Sequence, residues 1–319
     1  MSTPSRPSRP VVDPLAGRRI LVTGPARGIG AETARRLAAR GARLALVGRE
    51  PERLAALAAE LGAGHVWHEA DVTDQPGLDR AVAAAVAAFG GLDVVVANAG
   101  IASNGTVAVG PVEALVRVLD VNLGGVVRTV AATLPHVTAS RGYFLLVASA
   151  AAFAALPGMS TYAASKAGVE HFARVLRLEV AHLGVAVGVA YPSWIDTDLV
   201  RDTQRDLATF RATLRTLPGP FGRVTSLAAC ADALVGAIAR RERAVYVPRA
   251  LGRYAALRQL LATPLAEWVA MRQARRTLPA AEREVRALGR AFGAHSAELA
   301  PAHPAADRSE PAAPPRPAG

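Results

Sequence analysis

The chain has 319 residues, of which 51% are hydrophobic and 20% are charged. This amount of apolar surface supports a large folded core and excludes a chain that is disordered throughout. The net charge is +11, and Cys230 is the only cysteine, which excludes an internal disulfide framework and a thiolate metal cluster. A single cysteine fits a reducing compartment, so we expect a cytoplasmic protein.

The basic residues are almost all arginine. Of the 37 lysines and arginines, only Lys166 is a lysine. We interpret the excess of arginine, together with the abundance of alanine, as a base bias of the genome. A position that keeps lysine against this bias indicates a need for an ammonium group rather than a guanidinium.

The two ends differ in composition from the rest of the chain. Residues 1–14 hold four of the 22 prolines, and residues 301–319 hold six. Both ends are poor in large apolar residues, so we predict disordered tails over residues 1–14 and 294–319. The first 14 residues contain no apolar segment of the kind that a signal peptide requires.

Between residues 15 and 248, short apolar runs alternate with longer Ala-rich amphipathic stretches. Continuous apolar runs are typical of strands buried on both faces, and their alternation with helices predicts a doubly wound, Rossmann-type α/β fold. We expect seven parallel strands with right-handed crossovers. The strand segments are RILVTG, RLALVG, HVWHEADV, LDVVVANAG, GYFLLVAS, VAVGVAYPS and AVYVP, and the predicted helices include Ala31–Arg40, Glu52–Leu61, Leu78–Phe89, Glu113–Leu134 and Thr161–Leu183.

One uncharged segment, Gly142–Ser165, is long enough to resemble a membrane span. It contains Pro157, Gly158 and several serines and threonines. We therefore predict a strand, a loop and the start of a helix there.

The first strand is followed by TGPARGIG, which contains Gly24, Gly28 and Gly30, and by a helix start at Ala31. Glycines at such a turn let the backbone approach a pyrophosphate, which the helix N-terminus favours electrostatically. The position of this loop after the first strand of an alternating pattern predicts a dinucleotide site.

The second strand ends in Gly48 and Arg49, near the expected position of the adenosine ribose. An acidic residue there would bind the ribose hydroxyls of NAD, whereas Arg49 and Arg27 suit the 2′-phosphate of NADP. Glu50, an acidic residue one position further along, favours NAD instead. We predict NADP(H) in preference to NAD(H), with the alternative that Arg49 is only a solvated loop charge.

Ser149, Tyr162 and Lys166 are separated by 13 and four residues, and the spacing of four puts Tyr162 and Lys166 on one face of a helix. With these residues the chain resembles the short-chain dehydrogenase/reductase family over roughly residues 15–248. The matching features are TGPARGIG, Asp71–Val72, ANAG at 97–100, Asn122, Ser149, YAASK at 162–166 and PSWIDT at 192–197.

The resemblance implies hydride transfer between a nicotinamide and a carbonyl or alcohol. Tyr162 would be the acid in reduction and the base in oxidation, with the Lys166 ammonium lowering its pKa. Lys166 would also bind the nicotinamide ribose, Ser149 would orient the substrate oxygen, and Asn122 would hold a water that links Lys166 to solvent. No metal is expected.

The family pattern also implies which residues bind the cofactor. Two positions depart from it: Ala97 stands where many members have asparagine, and Ser193 replaces the usual glycine. The expected cofactor-binding residues are Gly24, Arg27, Gly28, Ile29, Gly30, Arg49, Asp71, Val72, Asn98, Ala99, Gly100, Tyr162, Lys166, Pro192, Ile195 and Thr197.

In this family the segment after the sixth strand covers the substrate, and here it spans residues 193–223. Its apolar residues either form a lid over a hydrophobic ketone or alcohol or simply pack onto the body of the domain. Steroid, fatty and polyketide-like substrates are all compatible, and a 3-oxoacyl thioester reductase is the alternative activity. The apolar residues are Trp194, Leu199, Leu207, Phe210, Leu214, Leu217 and Phe221.

Residues 249–293 form a basic helical appendage, predicted as two helices, Leu251–Thr277 and Ala280–Phe292, separated by Pro279. Residues 240–290 contain 12 Arg and four Glu, a net charge of +8. We expect either an arm that packs on the domain or on a partner subunit, or a basic amphipathic helix at the inner membrane surface. Nucleic-acid binding is not expected, because aromatic residues are few and no reader motif is present.

An active oxidoreductase is the leading hypothesis. The alternatives are a dinucleotide-binding protein without turnover and a membrane-surface protein in which catalysis is secondary. By resemblance to the family, a homodimer or homotetramer is expected through the helices that carry Glu113–Leu134 and Tyr162–Leu183.

Overall fold

A single seven-stranded sheet organises the chain, and the computed structural model describes residues 13–217, 219–258 and 263–293. Every strand pair in the sheet is parallel. The seven strands confirm the predicted doubly wound α/β fold. They are β1 (Arg19–Thr23), β2 (Arg43–Gly48), β3 (Val66–Glu69), β4 (Val94–Ala97), β5 (Tyr143–Val147), β6 (Ala186–Pro192) and β7 (Ala244–Val247).

Helices cover both faces of this sheet. Short 3-10 turns occur at Ala150–Ala152, Ala181–Leu183 and Gly219–Gly222. The α-helices of the described residues are α1 (Gly28–Ala39), α2 (Pro51–Leu61), α3 (Gln75–Phe89), α4 (Val112–Leu119), α5 (Gly125–Ala139), α6 (Ser160–Glu179), α7 (Asp198–Asp206), α8 (Ala208–Thr216), α9 (Leu227–Arg240), α10 (Leu251–Ala256) and α11 (Pro264–Leu288).

Alternate residues of each strand point into two separate apolar layers. In β1, Leu21 joins the layer under α3, α5 and α6, whereas Ile20 and Val22 join the layer under α1, α2 and α9. All three side chains are fully buried. Burial on both faces is why the strands have continuous rather than alternating apolar sequences.

The strand order is β3-β2-β1-β4-β5-β6-β7. The chain builds outward from β1 to β3 and then returns to place β4 on the other side of β1. Loops after β1 and β4 therefore leave the sheet in opposite directions at its carboxyl edge. This divergence opens the crevice where ligands bind in open α/β sheets.

The predicted helix Glu113–Leu134 is wrong in one respect: it is two helices. A π-helical turn, Asp120–Gly124, separates α4 from α5, and α5 continues through Pro135 to Ala139. The apolar periodicity is the same in both helices, so the pattern does not reveal the extra residue of the π turn.

The appendage also differs from its prediction. The break expected at Pro279 is absent, because α11 runs through this proline. Pro279 is exposed, so water can satisfy the carbonyl that loses its helical donor. The predicted helix from Leu251 ends at Ala256, and residues 259–262, which include Leu261, lie outside the described residues.

The predicted tails fall mostly outside the described residues, which begin at residue 13 and end at residue 293. Asp13, at the edge of the first tail, accepts hydrogen bonds from Arg40 at 2.7 and 2.9 Å. The uncharged segment 142–165 forms β5, a 3-10 turn and the start of α6, as predicted. Within the described ranges, each helix is too short or too polar to cross a bilayer.

Candidate active site

The glycine loop after β1 packs too closely for side chains. Gly24 has φ +65°, and a Cβ atom there would lie 2.8 Å from the Cα atom of Ala99. A Cβ atom on Gly30 would lie 2.4 Å from the Gly24 carbonyl oxygen. The loop therefore brings the N-terminus of α1 against the crevice, and the absence of side chains lets a pyrophosphate approach the backbone.

Asn98, at the end of β4, holds this loop in place. Its Nδ2 atom donates to the carbonyl oxygens of Thr23 at 3.1 Å and Gly24 at 3.0 Å. Its backbone nitrogen donates to the Thr23 hydroxyl at 3.1 Å. The Asn98 amide thus links the ends of β1 and β4, where the strand order reverses, and positions the glycine loop.

A cavity runs along the carboxyl edge of the sheet from β2 to α7. Every predicted cofactor-binding residue lines it except Ile195. The Ile195 side chain is buried in the apolar layer under α1 and α9, so only its backbone is left for the predicted cofactor contact, which stays a prediction. Residues that the sequence did not single out also line the cavity: Ala26, Gly48, Glu50, Ala70, Ile101, Val121, Val147, Ala148 and Asp198.

Charges of both signs line the β2 end of the cavity. Arg49 lies 3.4 Å from an Asp71 carboxylate oxygen, and Arg27 forms an ion pair with Glu50. Arg117 donates to the same Asp71 oxygen at 2.8 Å and to Thr73 at 2.9 Å. Arg117 was not predicted, because it lies on α4, far from Asp71 in sequence.

Burial acts to raise the pKa of Asp71, but hydrogen bonds from Thr73 and the charge of Arg117 outweigh this effect. The pKa of Asp71 therefore lies below its ordinary value. A carboxylate that stays ionised keeps both arginines oriented at the edge of the cavity.

Tyr162 lines the other end of the cavity, and Ser149 lies buried beside it. Ser149 follows β5, and its hydroxyl donates to the Pro192 carbonyl and accepts from the Ala151 amide, both at 3.2 Å. Tyr162 lies in the first turn of α6. Burial raises the pKa of the Tyr162 phenol, and a hydrogen bond with Ser149 opposes part of this shift.

Lys166 lies one helical turn after Tyr162, as predicted from the spacing. Its Nζ atom donates to the Val147 carbonyl at 2.9 Å and lies 5.8 Å from the centre of the Tyr162 ring. Burial lowers the pKa of Lys166 to about 8. Loss of water is the largest influence on Tyr162, so the net pKa of the phenol lies above its ordinary value. The expected lowering of this pKa by the Lys166 ammonium stays a prediction.

Asn122 lies in the π turn between α4 and α5 and is fully buried. Its Oδ1 atom accepts from the Ile101 amide at 2.8 Å, and its Nδ2 atom donates to the Ile101 carbonyl at 2.9 Å and to Ser165 at 3.1 Å. A Cβ atom on Gly100 would lie 3.2 Å from Oδ1 and 3.4 Å from the Lys166 Nζ atom. Glycine at 100 therefore allows Asn122 and Lys166 to approach each other.

The apolar residues of segment 193–223 pack mainly among themselves. Trp194 donates to the Phe221 carbonyl at 2.7 Å and meets the Phe210 ring edge-on, with 5.0 Å between centroids. Leu207 and Leu214 are buried. Leu199, by contrast, lines the cavity.

Two kinds of sequence comparison relate this chain to known proteins. A family profile described as short chain dehydrogenase matches residues 18–208. The chain belongs to the short-chain dehydrogenase family. Within the described ranges of this dehydrogenase, no group of three or more His, Cys, Asp or Glu residues is arranged to hold a metal ion.

Curated relatives of this dehydrogenase include 11-beta-hydroxysteroid dehydrogenase 1A of Arabidopsis thaliana. The two are 34% identical over 245 residues, which cover 73% of this chain and 69% of the relative. Cis-4-hydroxycyclohexanecarboxylate dehydrogenase of Sinomonas cyclohexanicum is 35% identical over 224 residues, which cover 69% of this chain and 88% of the relative. This dehydrogenase is therefore an oxidoreductase of CH–OH and C=O groups, from a family that binds a nicotinamide dinucleotide.

Replacing Lys166 by methionine removes the buried ammonium and changes how stability depends on pH. Burial lowers the pKa of Lys166 to about 8 in the folded dehydrogenase. An unfolded chain has a lysine pKa of about 10.4, so it binds the proton more tightly. The ammonium therefore destabilises the fold below pH 8, and this penalty disappears as the pH rises towards the unfolded pKa.

Between pH 8 and 10, the free energy of unfolding of the wild type should rise relative to Lys166→Met by about 1 kcal/mol per pH unit. Urea titrations at pH 7, 8, 9 and 10 measure this difference. Lys166→Arg keeps its charge throughout and serves as a control. Parallel pH profiles for the wild type and Lys166→Met would contradict the assignment.

Proposed function

We propose that the chain is an NADP(H)-dependent oxidoreductase that transfers a hydride between a nicotinamide and the carbonyl or secondary alcohol of a hydrophobic substrate. One observation carries the proposal: Tyr162 and Lys166 line one end of a cavity whose other end is the glycine loop, and Ser149 shares a hydrogen bond with Tyr162. The bound dinucleotide supplies the hydride or accepts it. The residues of the chain bind the substrate oxygen and move its proton.

Tyr162 donates the proton when a carbonyl is reduced. Because burial raises its pKa, the phenol is neutral near pH 7 and holds the proton that the forming alkoxide needs. Ser149 shares a hydrogen bond with Tyr162 and orients the substrate oxygen beside it. In oxidation Tyr162 must first release its own proton towards Lys166 and solvent, and the resulting phenolate then accepts the alcohol proton.

Lys166 stabilises the phenolate that forms when Tyr162 loses its proton. The attraction between a positive charge and a buried anion is stronger than the same attraction in water, because the surroundings screen it less. The side chain of Asn122 is engaged by Ile101 and Ser165. We propose that the π turn around Asn122 presents its backbone carbonyl to the water that returns protons to Lys166.

The preference for NADP(H) rests on Arg49 and Arg27, which line the β2 end of the cavity. Their carboxylate partners, Asp71 and Glu50, hold the guanidinium groups at this edge. A 2′-phosphate carries more negative charge than one carboxylate and offers more acceptor oxygens. Both arginines can bind it by charge-assisted hydrogen bonds.

The substrate end of the cavity is apolar. Ile101 and Val121 line it and belong to the apolar cluster against which Tyr162 packs, and Leu199 also lines the cavity. The two relatives carry names for dehydrogenases of a hydroxysteroid and of a hydroxycyclohexane carboxylate. We therefore propose an alicyclic ketone or alcohol as the substrate class, with a 3-oxoacyl thioester as the alternative.

Tyr162→Phe tests the catalytic proposal. Removing the phenolic proton should lower the turnover of apolar ketones by about 10²–10⁴-fold. The dissociation constant for NADPH should stay within about twofold, because the ring remains. Initial rates and NADPH fluorescence titration measure the two effects.

Tyr246→Phe is the matched control, since Tyr246 lies on β7 and stacks on Tyr191 away from the cavity. Full turnover by Tyr162→Phe would refute the role of Tyr162. A wild type that binds NADPH tightly but turns over neither ketones nor alcohols would favour a dinucleotide-binding protein without catalysis.

Arg49→Glu tests the cofactor preference. Loss of charge-assisted hydrogen bonds should weaken NADPH binding about 10–100-fold and leave NADH binding nearly unchanged. Arg80→Glu makes the same charge change on the exposed surface of α3 and should change neither. Equal or tighter binding of NADH by the wild type would show that the preference is wrong.

A homo-oligomer is proposed because α4, α5 and α6 expose large apolar side chains in the single chain. A stable assembly would bury this surface between subunits. These residues are Val112, Val116, Val127, Val175 and Leu178.

We also propose a cytoplasmic protein that contacts the inner membrane surface through the first half of α11. There Leu265 is 72% exposed and Trp268 is 54% exposed, with Val269 and Met271 also exposed. Arg272 lies over the Trp268 ring, 5.7 Å from its centre. Exposed apolar side chains among arginines match a surface of anionic lipid.

Flotation of the full chain with vesicles tests this contact. Binding should occur to phosphatidylcholine vesicles that contain phosphatidylglycerol, should weaken with salt, and should fall at least fivefold in Trp268→Glu/Val269→Glu. Val107→Glu/Val224→Glu is the control, because it places the same two charges at two other exposed valines. No binding by the wild type would refute the contact.

A further inference from the structure

The last described residues fold back onto two segments that border the cavity, the loop after β4 and the helices after β6. We call residues 282–293 the strap; it comprises the end of α11 and the chain that follows. Gly289 adopts φ +63°, which only glycine does readily, and this ends the helix and redirects the chain. The strap then passes between the loop after β4 and the helices α7 and α8.

One edge of the strap is bound to the loop after β4. The Asn104 amide donates to the Ala291 carbonyl at 2.7 Å, and Ser103 pairs with Phe292 as an antiparallel bridge. The Thr106 hydroxyl donates to Glu282 at 2.7 Å. This loop begins at Ile101, which lines the cavity.

The other edge is bound to the helices after β6. Glu284 accepts hydrogen bonds from the Thr209 amide at 3.1 Å and the Thr209 hydroxyl at 2.7 Å. Arg290 donates to the largely buried Asp206 carboxylate at 2.5 Å. Asp206 also lies 3.6 Å from Arg205, so Arg290 is one of two arginines that balance this carboxylate.

Phe292 connects the strap to the cavity. It is 6% exposed and belongs to a buried cluster with Val72, Ile101 and Val121. These three cluster members also line the cavity, and Tyr162 packs against the same cluster. Phe292 thus forms part of the apolar layer around the proton donor.

We propose that Phe292 is a specificity-determining residue, and that the strap is the outer wall that limits the size of the substrate. The inference rests on the proposed oxidoreductase function. An arm that only added stability could pack anywhere on the domain. This strap is instead bound to the two segments that flank the mouth, so a substrate must fit beneath it.

The first test uses cyclohexanone, 2-decalone and 5α-androstane-3,17-dione, which contain one, two and four rings. Phe292→Trp should lower kcat/KM for the two larger ketones at least tenfold, mainly through KM, and change cyclohexanone less than threefold. Phe292→Ala should shift the preference towards the larger ketones. Trp67→Ala, which removes a partly exposed aromatic residue from the edge strand β3, should leave the ratios unchanged.

Unchanged ratios in both Phe292 variants would overturn the proposal. NADPH titration and thermal unfolding of each variant distinguish a change in the pocket from a loss of fold. If Phe292→Ala does not fold, Phe292→Trp still decides the outcome.

A second measurement does not depend on turnover, so it remains decisive if the wild type reduces none of the ketones and the proposed substrate class fails. Hydrogen exchange of the full chain should become at least tenfold faster at residues 101–110 and 198–216 in Phe292→Ala. Exchange in β1 and β5 should stay the same, and Trp67→Ala should change neither flanking segment. Equal exchange in the wild type and Phe292→Ala at these segments would refute the strap as a wall.

Discussion

The active site depends on the hydrogen bonds by which the Asn98 amide holds the ends of β1 and β4 together. Parallel strands at a switch point send their loops in opposite directions, and nothing in the sheet itself fixes the distance between them. Asn98 binds the Thr23 and Gly24 carbonyls, and Gly30 leaves room for both. The glycine loop, the helix N-terminus and the loop before α4 all take their positions from this junction.

Burial controls the chemistry at the other end of the cavity. Loss of water disfavours charge, so it raises the pKa of Tyr162 and lowers that of Lys166. Burial therefore favours the neutral phenol of Tyr162 and the neutral amine of Lys166 more than water does. A phenol that keeps its proton suits the role of proton donor that we propose for Tyr162.

The appendage divides into two parts with different surroundings. The first half of α11 exposes Trp268 and its neighbours to solvent, whereas the strap buries Val285 and Phe292. Composition does not separate these halves, because both are rich in arginine and alanine. Their difference comes from contacts with the loop after β4 and with α8, which are remote in sequence.

Much of the fold and the candidate site could be predicted from local patterns. Seven apolar runs predicted seven strands, and the spacing of Tyr162 and Lys166 predicted that they share a helix face. Predictions failed where a contact remote in sequence decides the outcome. A π turn that packs Asn122 against Ile101 interrupts the helix predicted over Glu113–Leu134, and Arg117 reaches Asp71 from another helix.

The sequence by itself determined the parallel sheet, the glycine loop and the shared helix of Tyr162 and Lys166, because backbone geometry and apolar burial act over short distances along the chain. Only the tertiary structure decided the protonation of Tyr162, the partners of Arg49 and the path of the strap. These features depend on which residues, remote in sequence, exclude water or supply charge at each position. The spacing of residues along the chain does not reveal those contacts.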